Sequence, residues 1–179
     1  YKLLAQGTMV AAEHYGGADY ACVLGQEMAG YATGEVFYVS QSHGFRHSHL
    51  DSGGYSYDQK NKPKDADAAV KFMLDDEVGR VAMNCMVACL FSRGVYSMER
   101  LADCLSSIGC QTTADSLESG AEKVRALRWK LKFASGYDPS NVKIPKRFRE
   151  TVNWKGPLDE AYMDEIASKY TLAIKDLIK

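Results

Sequence analysis

Three of the chain's four histidines fall in one stretch, Ser42 to Gln59, which reads SHGFRHSHLDSGGYSYDQ. His43, His47 and His49 stand there with Arg46, Asp51, Asp58, a Gly-Gly pair and two tyrosines. Loops that concentrate titratable groups in this way are where binding and catalysis sit. Almost nothing in the stretch suits a core, so its side chains must be satisfied by water, one another or a bound group. Within it, HSHLD sets His47, His49 and Asp51 at alternate positions. In an extended segment all three project to one side, a geometry that can coordinate zinc. The plainer account is that the histidines are hydrogen-bonding loop residues.

A second set of candidates lies in the apolar run from Val81 to Phe91, VAMNCMVACLF. Cys85 and Cys89 are four apart, so on a helix they share a face. As free thiols they are either small core residues or ligands of a metal or cluster. Asn84 in the same run is an amide expected to be buried, and a buried amide must find partners. Basic residues collect at Lys123, Arg125, Arg128, Lys130 and Lys132, and again at Lys143, Lys146, Arg147 and Arg149. They read as a solvated face, or as a docking surface for an acidic partner or a phosphate. Trp129, Phe133 and Phe148 are too irregularly spaced to stack successive bases, and the formal charge of −1 exerts no general pull on nucleic acid or anionic lipid. Nothing approaches the roughly 20 apolar residues of a membrane span. Five cysteines without a CxxC pair or a signal peptide point to a reducing cytoplasm. The chain starts YKLLAQG, without Met, and is read as a piece of a longer polypeptide.

The elements that position these residues are mostly helical. Residues 2–15 carry helical spacing up to Gly16-Gly17. From Ala18 to Ser40 the segment is irregular, with ADYACVLG and EVFYVSQ read as extended. Asp65 opens a helix, and Asp75 and Asp76 read as the cap of a further one running to Gly94, buried from Val81 to Phe91. Ser97 caps a helix stopped by Gly109. Thr112 or Thr113 caps a long one whose stripe is Leu117, Ala121, Val124, Leu127 or Arg128, and Leu131, closed by Gly136. Residues 137–157 read as an extended connector. From Leu158 a last amphipathic helix buries Met163, Ile166, Tyr170, Ala173 and Leu177. The fold class is mainly α, multi-helical with a loop-rich first third. The division expected is 1–64, the end of a middle domain with the His-rich loop, and 65–179, a C-terminal helical domain.

In order, these segments resemble the C-terminal part of the aldehyde:ferredoxin oxidoreductase family, the tungsten or molybdenum bis-pterin enzymes. GQEMAGYATGE is similar to a family segment with Gly25, Glu27 and Tyr31 as counterparts. GFRHSHLD resembles its Arg-Gly-x-x-His-Leu stretch through Arg46, His49 and Leu50. NCMVACLF occupies the place of an Asp-x-x-Gly-Leu-Cys motif, and the segment ending in IPKRF resembles a late helix with its Leu-Pro-x-Arg-Phe ending. RHSHLDSGGYSYDQ is similar to the branch that includes the class II benzoyl-CoA reductases. HSHLD also resembles the H-x-H-x-D-H signature of binuclear metallo-hydrolases, but Ser52 takes the place of the last histidine and that signature belongs to a β-rich sandwich.

The main resemblance implies a [4Fe-4S] cluster beside a tungsten (or molybdenum) bis-pterin. Three cluster cysteines would come from the upstream region of the same chain and the fourth would be Cys89, leaving Cys85 in the core. It implies an aldehyde or a carboxylic or aryl-thioester substrate, with ferredoxin or an iron–sulfur partner subunit as electron carrier. His49 and His47 are then the candidates for proton donors. Arg46 is the candidate grip on a pterin phosphate or substrate carboxylate. Asn84, where the motif has Asp, is the candidate contact to a pterin ring. Val87 replaces the motif's Gly and Ala88 its Leu, and Glu27 reads as a supporting carboxylate. A homo-oligomer is compatible with this reading. The alternatives are a non-catalytic helical scaffold subunit of the same fold, and a His/Asp metallo-hydrolase.

Overall fold

A computed structural model describes residues 1–17, 22–28, 30, 33–60 and 63–179. The first part of the stretch read as extended, Ala18 to Ala21, and the family counterpart Tyr31 lie outside the described residues. The chain is mainly helical, as expected. A short 3-10 turn (Leu4–Gln6) and helix α1 (Thr8–Tyr15) replace the single helix read over 2–15, because Gly7, at φ 97°, separates them. Strands β1 (Cys22–Val23) and β2 (Gln26–Glu27) form a hairpin through Leu24 and Gly25, both at positive φ.

Helix α2 (Glu35–His43) corrects the extended reading of EVFYVSQ. Every residue from Val36 to His43 is buried, the polar Ser40, Gln41, Ser42 and His43 included, so the segment is enclosed on all sides as a central helix. No local residue caps it. Asp58 does so from 22 positions away, its carboxylate accepting from Val36 N at 3.3 Å and Phe37 N at 2.9 Å. Asp58 is carried on α3 (Gly54–Gln59), and Gly54 permits the contact between the two helices. A Cβ there would lie 2.8 Å from Val36 O and 2.9 Å from Phe37 Cα.

Helix α4 (Ala66–Cys85) is one helix, not two. Asp65 caps it by accepting from Ala68 N, whereas Asp75 and Asp76 pair along the helix with Lys71 and Arg80. It stops nine residues short of Gly94. Val87 adopts φ 56°, Ala88 N bonds Met83 O at 2.9 Å, and Val87 N bonds Asn84 O at 3.1 Å. That pair of bonds is a Schellman closure, whose left-handed position is normally glycine. The expected burial of Val81 to Phe91 therefore holds only up to Met83. Asn84, Cys85, Val87, Cys89 and Phe91 are exposed. A β-branched residue in the left-handed region is strained by roughly 1–2 kcal/mol, part of which glycine returns through its freedom when unfolded. Val87→Gly is expected to raise stability by about 1 kcal/mol in urea unfolding. A lowered midpoint would remove the strain account.

Helices α5 (Met98–Ser107) and α6 (Ala114–Ala134) start at Ser97 and Thr113, whose side chains accept from Arg100 N and Ser116 N. On α6 the buried residues are Ala121 and Trp129, while Leu127 and Leu131 are 66% and 70% exposed, so the inward stripe is rotated from the one expected. The segment 137–157 is not an extended connector. It contains a 3-10 turn (Pro139–Asn141), helix α7 (Lys146–Glu150) and a hairpin of β3 (Val152–Asn153) with β4 (Gly156–Pro157). It also buries Val142, Ile144 and Phe148. Helix α8 (Glu160–Leu177) buries Met163, Ile166 and Tyr170 as read, with Ala173 and Leu177 half-buried against the same core. The larger core joins α2, α4, Trp129 and α8, and so draws on both sides of position 64. A smaller one joins α4, α5 and α6 through Val78, Val81, Leu101 and Ala121. No helix among the described residues is long and apolar enough to cross a membrane.

Candidate active site at the His-rich loop

Residues Gly44 to Gly53 connect α2 to α3. They do not run extended. Gly44 packs where a Cβ would lie 2.5 Å from Ser40 O and 3.0 Å from Asp51 Cβ, so the chain can fold back on the end of α2 only with glycine there. Asp51 is the hub of the fold-back. It is buried, and its carboxylate accepts from Arg46 N at 2.5 Å and Arg46 Nε at 2.8 Å. Arg46 Nη2 also donates to Leu50 O at 3.2 Å.

His47 turns away from His49. It takes φ 55°, which breaks the alternation that would have aligned His47, His49 and Asp51. Its Nδ1 lies 2.7 Å from Ser42 O and its Nε2 3.0 Å from Lys132 Nζ. An ammonium only donates and a carbonyl only accepts, so Nε2 is the acceptor and Nδ1 carries the proton. The neutral ring this requires agrees with a pKa lowered by burial and by Lys132. Lys132 also donates to Phe45 O at 2.5 Å and sits among the rings of Phe45, Trp129 and Tyr137. Burial pulls its own pKa down to about 8. His47 therefore ties the loop to α6, with both nitrogens engaged.

The zinc reading of HSHLD loses its basis here. Asp51 is taken by Arg46, and His47 by Ser42 and Lys132. Among the described residues, no group of three His, Cys, Asp or Glu is placed to hold a metal ion.

His49 faces a cavity of about 340 Å³. The loop side is lined by His49 and Leu50, α3 gives Tyr55 and Gln59, and α4 gives Arg80. The turn after α4 gives Leu90, Phe91 and Arg93, and Thr33 completes the wall. Arg80 holds the two sides together. It is buried, its Nε bonds Asp76 Oδ2 at 2.5 Å, and its Nη1 reaches Leu50 O at 3.2 Å and His49 O at 3.4 Å. Asp76 in turn accepts from Gly53 N at 2.6 Å. Arg93 donates to Tyr55 Oη at 3.2 Å and to Leu90 O at 3.0 Å. The imidazole of His49 has its pKa lowered by burial first and then by Arg80 and Arg93.

The residues singled out from sequence are thus partly gathered. His49 lines the cavity, and Cys89 directly precedes its lining residue Leu90. Asn84 is on the last turn of α4, exposed rather than buried, so its amide needs no protein partner. Cys85 is exposed too, on a groove between α4, α5 and α6. His47 and Arg46 brace the loop and do not line the cavity. Arg80, Arg93, Tyr55 and Phe91 were not read from sequence as site residues. A signal existed for Arg80, a lone charge within the otherwise apolar VGRVAM. None existed for Arg93.

Toward an iron–sulfur cluster the turn offers one thiol, Cys89, and no group of three potential metal ligands stands there among the described residues. Cys89 is an exposed, unpaired thiol at an irregular turn, the kind of position from which a thiolate can reach iron. The exposed amide of Asn84 is a group that a pterin's polar edge can use.

A family model described as Aldehyde ferredoxin oxidoreductase, domains 2 & 3, matches residues 1–175. No curated protein and no solved structure matches the chain. With that match running through nearly its whole length, the chain belongs to the aldehyde ferredoxin oxidoreductase family, of whose domains 2 and 3 it is a mainly helical example.

Proposed function

We propose that this chain forms the His-rich loop, one cluster ligand and part of the pterin-facing surface of a cytoplasmic tungsten- or molybdenum-pterin oxidoreductase. The enzyme would contain a [4Fe-4S] cluster and act on an aldehyde or on a carboxylic or aryl-thioester substrate. Ferredoxin or an iron–sulfur partner subunit would carry its electrons. One observation carries the reading: His49 on the loop and the turn that begins at Cys89 contribute to the walls of a single cavity.

When bound, the metal–pterin group and the cluster supply the two-electron change at the carbonyl carbon and the onward one-electron transfers. This chain's residues hold and surround that chemistry. The Cys89 thiolate would hold one iron, and the Asn84 amide offers both a donor and an acceptor to a pterin ring. His49, with its lowered pKa, is neutral at pH 7, so a ring nitrogen accepts a proton during oxidation and returns it during reduction. Leu50, Leu90 and Phe91 supply apolar wall beside it. Arg46 and His47 act by fixing the loop.

Metal analysis of the full-length protein tests this. Tungsten or molybdenum with about four irons per chain is the expected result. Cys89→Ser should lose at least half of the visible cluster absorption. An unchanged spectrum at full iron content would exclude Cys89 as a ligand. A second reading, a non-catalytic scaffold of the same fold, is favoured by the three motif departures at Asn84, Val87 and Ala88. It predicts no tungsten, molybdenum or iron in the intact protein.

A further inference from the structure

We infer that the contact between His47 and Lys132 is an acid-released latch: a proton taken up by the His47 ring frees the first half of the His-rich loop from α6. The inference goes beyond the functional reading and does not depend on it. The contact admits one protonation state of the ring. Nδ1 already donates to Ser42 O at 2.7 Å, so the nitrogen open to a further proton is Nε2, which accepts from Lys132 Nζ at 3.0 Å. Once protonated, Nε2 is a donor facing a donor, and two like charges stand a hydrogen bond's length apart. Lys132 also donates to Phe45 O, so it carries two ties between α6 and the loop, and a movement that parts the charges loosens both. Lys132 is the better held of the two sides. Its ammonium lies 5.1 Å from the centre of the fully buried Trp129 ring and 4.1 Å from that of Tyr137. Phe45 to Ser48, by contrast, belong to no helix or strand.

The second half of the loop has separate anchors. Arg80 holds the carbonyls of His49 and Leu50, and Asp76 holds Gly53 N, so release is confined to the residues before His49. The other groups facing His47 do not oppose it in mild acid. His43, at the end of α2, has its pKa lowered to about 4 by burial and stays neutral there. Tyr137, with its ring centre 5.9 Å away, is neutral because burial raises its pKa to about 12. Asp51 favours the charged ring but is already paired with Arg46 at 2.8 Å. Lys132, with Glu77 and Arg128 near it, has a pKa of about 8 and so keeps its charge below neutrality. The sign follows from the lowered pKa of His47. The released loop binds one proton more than the latched one between the ordinary 6.5 and that lowered value. In that window the latched population falls relative to the released one by as much as about tenfold per pH unit, and above it the ratio is constant.

Amide hydrogen exchange of the full-length protein, read by mass spectrometry between pH 5 and pH 8 and corrected for the intrinsic pH dependence of exchange, tests this. Arg46 N and His47 N are bonded to Asp51 Oδ2 and Gly44 O, so a peptide over 44–51 reports the latch. Its protection should be level above about pH 6.5 and fall up to about tenfold per unit below it, while peptides from α8 stay protected. His47→Gln keeps an oxygen for Lys132 and cannot titrate, so the acid fall should vanish. Lys132→Met keeps an unbranched stem among the rings without the charge. It should lower protection at pH 7.5 and flatten the fall. Should α8 lose protection in His47→Gln, that variant has unfolded and Lys132→Met decides alone. Level protection across the whole range in the parent overturns the inference. So does an acid fall that survives unchanged in the folded variants, which would assign it to His49, Asp58 or Glu77. Exchange is read from the backbone, so neither result turns on the metal content that decides the functional reading.

Discussion

Arg80→Ala is expected to destabilise the protein by about 3–5 kcal/mol, the usual cost of breaking a buried ion pair from one side. The side chain is only 6% exposed and carries three separate jobs. It neutralises Asp76, a carboxylate with 27% of its side chain exposed, and it satisfies the carbonyls of His49 and Leu50. Removing it leaves an uncompensated charge beside Gly53 N and takes a donor from two loop carbonyls, of which Leu50 O keeps Arg46 Nη2. The loop would then lose its attachment to α4, so His49 should become mobile and its imidazole pKa should return toward the ordinary value. Arg80→Lys should recover less than half of the loss, because one ammonium cannot imitate a planar fork that reaches a carboxylate on one edge and carbonyls on another. Urea midpoints and the His49 titration followed by NMR read these two effects separately. A loss under 1 kcal/mol with an unmoved His49 pKa would show that the loop is held by Asp51 and Lys132 alone.

What could be read from sequence is set by the range of the forces involved. Helices whose caps are local were legible to within a residue, as at Ser97, Thr113 and Asp65, because a cap and its target lie three positions apart. Helix α2 was not, since its cap is Asp58 and its apolar, β-branched run looks like a strand until it is known to be buried on all sides. The end of α4 was hidden for a different reason. Its stop sits at Val87, a residue type that carries no stop signal, where glycine would have announced the turn. The loop was correctly singled out, but its internal logic was not. The alternation in HSHLD means one shared face only in extended backbone, and the left-handed His47 removes that condition. Its partners, Lys132 and Arg80, lie 85 and 31 positions away; the lone charge in VGRVAM sets Arg80 apart, but nothing local ties either residue to the loop. The basic cluster on α6 was read as a solvated face or a docking surface, yet Arg125 donates to Leu74 O, Arg128 covers the Phe45 ring and Lys132 enters the loop.

Trp129→Ala is expected to cost about 3–5 kcal/mol, the range for deleting a fully buried aromatic side chain. Trp129 is 0% exposed, packs edge-on against Phe45 at 5.3 Å and backs the cage around Lys132, so the loop and α6 both lose a shared surface. A second effect makes this site distinctive. The indole Nε1 donates to both oxygens of the buried Glu77, at 3.1 and 3.3 Å. Burial lifts the Glu77 pKa to about 7 against the pull of Trp129, Arg125 and Arg128, with Asp51 adding a small push upward. A carboxyl whose folded pKa lies above its unfolded one stabilises fully below pH ~4.5 and loses that contribution as the pH rises through about 7. Glu77→Gln keeps a hydrogen-bond acceptor for the indole and removes the charge. Relative to the parent, the variant should therefore gain stability between pH 5 and pH 8, by an amount on the order of 2–3 kcal/mol. Taking the difference between the two proteins cancels Asp58, whose raised pKa gives a slope of the same sign, and His43, whose lowered pKa gives the opposite one. Trp129→Phe should keep most of the packing while withdrawing the donor, moving the Glu77 midpoint upward and steepening the loss above neutrality. If the Glu77→Gln difference stays flat across this range, the carboxylate has a solvation route that its burial does not suggest, and the indole is acting through packing alone.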